Sequence, residues 1–265
     1  EALASGLLLA AALLTKASNV AVLAPLAFVA SSRLRAGGRK EAARIVMLVG
    51  AAALPVAGWL FRNAVVGGDV MGTAAKVAAL GWTAKPVGAW LDHPLFTVHG
   101  ALAFAGGLAA TAWRGEFFWH GGPRTGPVLD AWFALSTAAF LLAPRFVRSP
   151  RPAARAQRQA SAVCWAMLIA SAVFLAAVSV AFDFGPCNYP SRARPFLISA
   201  RLVSAAFAPF LILYARGFGL IVGGGPRRRL GGVLLLAAIL LGTELWLSRE
   251  VFLSPFNWFH GPWWR

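Results

Sequence analysis

The sequence contains few charged side chains. Asp, Glu, Lys and Arg make up only 13% of its 265 residues, whereas a soluble domain carries about 25%. Hydrophobic residues make up 59%, and the mean hydropathy is +0.68. Too little polar surface is therefore present to cover a water-soluble globule, and the apolar residues occur in long blocks. These features exclude an ordinary soluble domain and predict an integral membrane protein.

Acidic residues are especially scarce. Nine Asp and Glu residues stand against 25 Lys and Arg, which gives a net charge of +16. In a soluble protein this balance would suggest nucleic-acid binding. Here the basic residues lie between apolar blocks, and few of their clusters contain the interleaved aromatic residues that stack on bases. We therefore predict no nucleic-acid partner and expect the basic residues to set the orientation in the membrane.

Several catalytic and metal-binding signatures are also missing. The two cysteines and four histidines show neither H-E-x-x-H nor C-x-x-C spacing, and no Gly-rich phosphate loop or G-x-S-x-G motif occurs. We predict no cofactor and no metal site made by this chain alone. A divalent metal held together with acidic residues that precede Glu1 stays an open alternative.

The apolar stretches predict an all-α polytopic membrane protein with about seven membrane-embedded segments. A spanning helix needs about 20 mostly apolar residues, and five stretches meet this requirement: 42–61, 128–147, 161–182, 196–215 and 230–248. Two shorter stretches, 2–14 and 18–32, flank Lys16. The second would reach only about 22 Å as a helix. We therefore expect Lys16 to lie below the outer membrane surface and to line a cavity.

Three basic loops predict the orientation of the chain. Together they hold 14 of the 25 basic residues and one acid; they are loops 33–44, 145–158 and 216–229. The positive-inside rule places all three in the cytoplasm. The chain between 42–61 and 128–147 must then cross the membrane an even number of times. We therefore expect the apolar stretch 95–113, with its Gly106-Gly107 pair, to be a broken re-entrant or interfacial segment within a long outer loop, 62–127.

Five short parts of the sequence resemble one family of membrane enzymes. They are Gly6–Leu9 with Leu13–Lys16, Trp59–Asn63 with Gly68-Asp69, Trp113–Phe117, Phe196–Leu202 and Ser254–Phe259. These segments are similar to segments of bacterial GT-C superfamily glycosyltransferases. The sequence differs from that family at Val70 and Met71, where Pro-Phe is usual, and at Ala200, where Gly is usual.

The resemblance implies transfer of a sugar from a polyprenyl-phosphate donor on the non-cytoplasmic face of a bacterial inner membrane. It also implies that the catalytic acid lies in an outer loop that precedes Glu1. Because the first residue is Glu1 rather than Met, we expect residues 1–265 to be a single transmembrane domain that lacks this N-terminal catalytic loop. The expected partners are the polyprenyl-phosphate-linked sugar and membrane lipids.

Four cations are candidates for binding the donor phosphate. Arg201 lies about five residues inside an apolar segment, which is roughly 8 Å by helical rise, and guanidinium groups match phosphate oxygens. Arg192 and Arg194 lie just outside and would assist. Lys16 would add a cation in the lipid-phosphate groove. The alternatives are an arginine that extends to the lipid headgroups and an ordinary lysine in a helix-hairpin turn.

The outer loop 62–127 supplies candidates for binding the acceptor or the sugar. These are Asp69, Trp82, His93, Arg114 and Glu116. Long loops are often functional, and carbohydrate sites combine aromatic surfaces with carboxylates. The alternative is a solvated loop whose charges pair with lipid headgroups.

Two other functions remain open from the sequence. Broken segments at 2–32 and 95–113 would also suit a transporter or flippase with a site at the membrane midplane. A non-catalytic assembly subunit is the third hypothesis.

Overall fold

A computed structural model of the chain describes residues 1–116, 118–119, 122–147, 155–185 and 190–256. Helices cover most of these residues: α1 (Ala2–Thr15), α2 (Leu23–Gly67), α3 (Ala74–Ala79), α4 (Val98–Arg114), α5 (Pro127–Phe146), α6 (Arg155–Ala181), α7 (Phe207–Val222) and α8 (Pro226–Leu253). Two short antiparallel pairs join β1 (Thr83–Ala84) to β4 (Phe182–Asp183) and β2 (Phe118–Trp119) to β3 (Gly122–Pro123).

Within the described residues, five helical segments are long and apolar enough to span a membrane. They are Ala17–Gly67, Pro127–Phe146, Ala156–Ala181, Ala200–Val222 and Pro226–Leu253. Their outward faces are strongly apolar: Leu54 of α2 is 78% exposed and Leu241 of α8 is 63% exposed. Such surfaces are stable in lipid and not in water. The predicted helical integral membrane protein is confirmed at this level, while the count of seven embedded segments stays a prediction.

The chain forms two compact units. The first comprises Glu1–His93, Ala154–Leu197 and Ala205–Pro209, and the second comprises Pro94–Ala153, Ile198–Ser204 and Phe210–Arg265.

In the first unit, α1 packs closely against α2. A β-carbon added at Gly6 would lie 2.3 Å from the carbonyl oxygen of Leu48, so only glycine allows this approach. The predicted loop 33–44 is helical on both sides of a single break at Gly38, where φ is +62°. Glycine adopts this left-handed conformation without steric cost, so one residue is enough to separate the two halves of α2.

In the second unit, α4 packs against α5, and the ring of Trp113 lies at the centre of an aromatic cluster. Its ring centroid is 4.7 Å from that of Tyr214 and 5.5 Å from that of Phe210. Residues 98–114 form one continuous helix, so the Gly106-Gly107 pair does not break the segment as predicted. Instead, Gly107 makes room for Ile198, whose Cδ1 would lie 2.4 Å from an added β-carbon.

The predicted spanning helix 196–215 is not one continuous α-helix. Residues 200–206 form a 3₁₀ segment with a non-helical residue at Val203, and α7 begins at Phe207. Hydroxyl groups replace the helical hydrogen bonds before this point. Ser179 Oγ accepts from the N–H of Leu197, and Thr111 Oγ1 donates to the carbonyl of Ile198. Because side chains satisfy these backbone groups, residues 196–199 stay non-helical.

Candidate functional site

The carboxylate of Glu116 is the centre of a polar cluster in the second unit. Ser199 Oγ donates a 2.6 Å hydrogen bond to Glu116 Oε2, and Arg201 Nε lies 3.2 Å from the same oxygen. The side chain of Glu116 is only 9% exposed, whereas that of Arg201 is 78% exposed. A buried acid therefore holds an arginine whose side chain is largely exposed.

Backbone contacts fix the two segments that carry this pair. Gly115, with φ at +70°, ends α4 and leads directly to Glu116. Thr111 of α4 bonds to the other segment. Its Oγ1 donates to the carbonyl of Ile198 at 2.5 Å and accepts from the N–H of Ala200 at 3.2 Å. The end of α4 and the start of the 3₁₀ segment are thereby joined on both sides of Ser199.

The second oxygen of Glu116 has unused hydrogen-bonding capacity. Within the part of the chain that the structure describes, Glu116 Oε1 is buried and has no hydrogen-bond partner. Buried polar atoms without partners are rare in folded proteins and mark places where a ligand, a water molecule or a further residue is expected.

Arg114 lies next to this cluster but bonds elsewhere. Its Nε and Nη2 atoms donate to the two carboxylate oxygens of Asp130 at 2.6 Å and 3.1 Å. The side chain of Arg114 is 8% exposed. This bidentate pair connects α4 to α5 and favours a structural role for Arg114 over the predicted contact with acceptor or sugar.

Asp69 in the first unit caps a helix. Its carboxylate accepts hydrogen bonds from the N–H groups of Met71, Thr73 and Ala74, at 3.1, 2.5 and 2.6 Å. These bonds, with that of Ala74 the largest contribution, lower the pKa of Asp69 from its ordinary value even though partial desolvation raises it. The predicted acceptor ligand therefore stabilises the start of α3.

A cavity of about 220 Å³ lies beside Asp69 and is lined partly by the motif Arg62-Asn63 at the end of α2. Gly72 also lines it, and φ of Gly72 is +64°. A β-carbon at Gly72 would lie 3.1 Å from Nδ2 of Asn63, so glycine is required here both for its conformation and for space. Arg62 and Asn63 supply hydrogen-bond donors beside the Asp69 carboxylate.

Trp82 and His93 are packed inside the first unit. The Trp82 ring lies 4.8 Å from the ring of Phe184, beside the strands β1 and β4. His93 is 2% exposed, and its Nε2 lies 3.1 Å from the carbonyl oxygen of Pro195. Burial foremost, and then the nearby charge of Lys85, lower the pKa of His93. The enclosed His93 ring bonds to the loop around Pro195, while Trp82 is half-buried, and contact of either side chain with a sugar stays a prediction.

The other three predicted phosphate ligands belong to the first unit. Lys16 is half-buried at the junction between α1 and the 3₁₀ segment Ala17–Val22. Arg192 and Arg194 are exposed and share one turn, which the paired backbones of Ser191 and Arg194 close. Arg192 Nε lies 3.8 Å from Asp183 Oδ2. The structure therefore brings Arg192 and Arg194 together, while Arg201 lies in the second unit.

No protein-family model, curated protein or solved structure matches the chain. Any functional conclusion therefore depends on the arrangement of this chain's own residues.

In the described ranges, no group of three or more His, Cys, Asp and Glu side chains is arranged to hold a metal ion. Residues 257–259 of the segment Ser254–Phe259 lie outside the described residues, as do residues 148–154 of loop 145–158.

The sequence interpretation missed Thr111, Ser199 and Asp130. Asp130 did give a usable signal, because an acid in an otherwise apolar segment must have a partner. Thr111 and Ser199 gave none, since single hydroxyl residues are common in apolar helices and only the fold reveals their partners.

Proposed function

We propose that the chain is the membrane-embedded part of a glycosyltransferase that transfers a sugar from a polyprenyl-phosphate donor on the non-cytoplasmic face. The observation that carries this proposal is the Arg201 guanidinium. It is exposed, it lies in the 3₁₀ segment Ala200–Ala206 that interrupts an apolar stretch, and the largely buried side chain of Glu116 holds it.

An arginine in this position suits a lipid-linked phosphate. A charged side chain at a membrane segment is costly unless it faces a partner or a cavity, and Glu116 supplies a partner for one edge of the guanidinium. Guanidinium groups bind phosphate oxygens with matched geometry. When the sugar leaves the donor, negative charge increases on the phosphate, and a fixed cation stabilises that charge most in the transition state.

The packing of the segments that resemble GT-C enzymes supports the proposal. Trp113–Phe117 and Phe196–Leu202 lie far apart in the sequence, yet they contribute the two partners of the Glu116–Arg201 ion pair. In the first unit, the motif residues Arg62, Asn63 and Asp69 line one cavity. We propose that this cavity, taken by itself, binds a polar ligand such as a sugar, with Arg62 and Asn63 as hydrogen-bond donors.

The proposed reaction is an inverting displacement. The acceptor oxygen forms a bond to the anomeric carbon as the bond from that carbon to the phosphate oxygen breaks, and polyprenyl phosphate leaves. A general base removes the proton from the acceptor hydroxyl; the resemblance assigns this base to a segment before Glu1. Arg201 would neutralise the leaving phosphate, with Lys16, Arg192 and Arg194 as further candidate cations.

Transfer assays on membranes from cells that express the native gene product test this function. Labelled polyprenyl-phosphate sugars are supplied as donors, and the transferred label is counted. We expect Arg201→Ala to lower transfer about 100-fold, the scale of losing one oxyanion-type contact, and Arg201→Lys to retain part of the activity. Arg35→Ala, which removes an exposed arginine close to the break in α2 at Gly38, serves as the matched control. Absence of transfer from every donor, or full activity of Arg201→Ala, would contradict the proposal.

A flippase is the second candidate, and one observation favours it. The 3₁₀ segments Ala17–Val22 and Ala200–Ala206 interrupt apolar stretches, as do the discontinuous helices that form substrate sites in transporters. Translocation of a labelled lipid-linked sugar across proteoliposomes, without formation of a transferred product, would favour this function over the enzyme.

A further inference from the structure

A cavity in the first unit adjoins the break at Gly38. Its volume is about 680 Å³. The residues that line it come from α1 and from both halves of α2, and we call it the hinge cavity; the lining includes Leu26, Val29, Ala30, Arg33, Arg44 and Leu48.

The lining is apolar at one end and charged at the other. Leu26 and Val29 on one half of α2, with Leu48 on the other, form the apolar part. Arg33 and Arg44 lie closer to Gly38 along their respective halves. The arginines lie four to seven residues along the helix from these apolar residues, which is roughly 6–10 Å at about 1.5 Å per residue. This is the spacing between the headgroup and the acyl chains of a lipid.

The charge around the cavity favours an anion. Glu1 and Glu41 are the acids of the lining, and Glu41 accepts a hydrogen bond from Nη1 of Arg44. Arg33 and Arg44 on the lining balance these two acids, and Arg35, Arg39 and Lys40 of the adjoining residues 33–44 add three further positive charges. The ion pair holds Arg44 at the cavity, and the surplus cations give the charged end a positive potential.

We propose that the hinge cavity binds one anionic phospholipid, with its phosphate between Arg33 and Arg44 and an acyl chain along Leu26, Val29 and Leu48. Basic pockets between membrane helices on the cytoplasmic side are suited to such headgroups, and the positive-inside rule assigns residues 33–44 to that side. This site is separate from the Glu116–Arg201 pair and does not depend on sugar transfer. A lipid bound here connects α1 to both halves of α2 and stabilises their arrangement.

The site is tested by lipid titration of the purified full chain in detergent, with native mass spectrometry to count retained lipids. Phosphatidylglycerol is the probe, and phosphatidylcholine is the neutral reference. We expect the Arg33→Ala/Arg44→Ala double variant to bind phosphatidylglycerol about 30-fold more weakly, since each basic residue near an anionic headgroup contributes on the order of fivefold. The matched control is Arg35→Ala/Arg39→Ala, which removes the same charge from the same hinge but not from the cavity lining.

Two further variants keep the result interpretable if the double variant folds poorly. Arg33→Lys/Arg44→Lys preserves the charges and is expected to retain most of the binding. Ala30→Trp fills the apolar part with all charges intact and is expected to weaken phosphatidylglycerol binding at least tenfold. Equal loss in the two alanine pairs, unchanged binding by Ala30→Trp, or a clear preference for polyprenyl phosphate over phosphatidylglycerol would overturn the proposal.

Discussion

Arg201 and Glu116 form an ion pair in which Nε of the arginine lies 3.2 Å from Oε2 of the acid. The sequence interpretation assigned the two residues to different tasks, Arg201 to the donor phosphate and Glu116 to the acceptor or sugar. The structure makes them one unit, because the buried carboxylate positions the exposed guanidinium. In the proposed reaction, Glu116 would therefore position Arg201 rather than contact the donor itself.

The ion pair predicts coupled effects in a double-mutant cycle. We expect Glu116→Gln and Arg201→Ala to show a coupling of about 0.5–1 kcal/mol in unfolding, because the exposed guanidinium limits the strength of the pair. In transfer assays Glu116→Gln should raise the KM for the donor, since Arg201 loses its anchor. In unfolding, the exposed pair Arg192–Asp183, with Nε and Oδ2 3.8 Å apart, provides a control cycle with coupling near zero. Additive effects on donor KM would contradict the positioning role.

Asp130 is predicted to be essential for stability. Asp130→Ala would leave the guanidinium of Arg114, only 8% exposed, without its bidentate partner. Loss of one partner of a buried ion pair costs about 3–5 kcal/mol, so the unfolding temperature in detergent should fall strongly. Asp92→Ala, at an exposed position, should change it little. Equal unfolding temperatures for the two variants would show that the pair does not stabilise the α4–α5 contact.

The hydrogen bonds of Asp69 are expected to make the stability of α3 depend on pH. The pKa of its carboxyl group in the folded state lies below the ordinary value of 3.8 because backbone N–H groups of the turn, Ala74 first, bond to the charged form. The carboxylate therefore stabilises the start of α3 above that value, and this stabilisation is lost as the pH falls through the folded-state pKa. The protection of the Thr73 and Ala74 N–H groups, measured as hydrogen-exchange rates relative to an unprotected chain at the same pH, should fall only below about pH 4.

Asp69→Asn is the informative variant for this helix. Asparagine caps helices well but does not titrate, so α3 should persist while its dependence on acid disappears. Unchanged acid dependence in Asp69→Asn would assign the effect to another group.

Gly217 is predicted to tolerate no side chain. An added β-carbon would lie 1.6 Å from the carbonyl oxygen of Phe140, so Gly217→Ala must separate α5 from α7. We expect a loss of at least about 1–3 kcal/mol, the usual range for overpacking. Gly219 lies on the same helix and has no atom within 4 Å of an added β-carbon. Gly219→Ala should therefore be neutral or stabilise by up to about 1 kcal/mol. Thermal unfolding of both variants in detergent makes the comparison.

Much of the fold could be predicted from apolar runs. The stretches 128–147, 161–182 and 230–248 correspond closely to α5, α6 and α8, because a helix in lipid must satisfy its own backbone hydrogen bonds. The stretch 196–215 corresponds only in part, because most of it lies within the candidate span Ala200–Val222 while α7 begins only at Phe207. Hydropathy measures how apolar a segment is, but it does not reveal that Thr111 and Ser179 bond to the backbone of that segment.

The candidate site could be predicted only in part. Acids are scarce in this sequence, so Glu116 and Asp69 could be recognised as candidates. Their partners could not, because those of Glu116 lie far away in the sequence and those of Asp69 are backbone N–H groups of its own turn. Asp69 caps α3 through adjacent N–H groups, and Arg114 bonds to an acid on the next long helix. Both roles differ from the predicted contact with sugar.

The sequence by itself determined that this chain is a helical membrane protein, because long apolar runs with few charges are stable only in lipid and only as helices. The tertiary structure decided which polar groups meet. It paired Arg201 with Glu116, directed Arg114 to Asp130 and placed Arg33 and Arg44 on one cavity. In a chain with so few charges, each buried one needs a partner to offset its desolvation, and only the packing of the helices determines which partner is close enough.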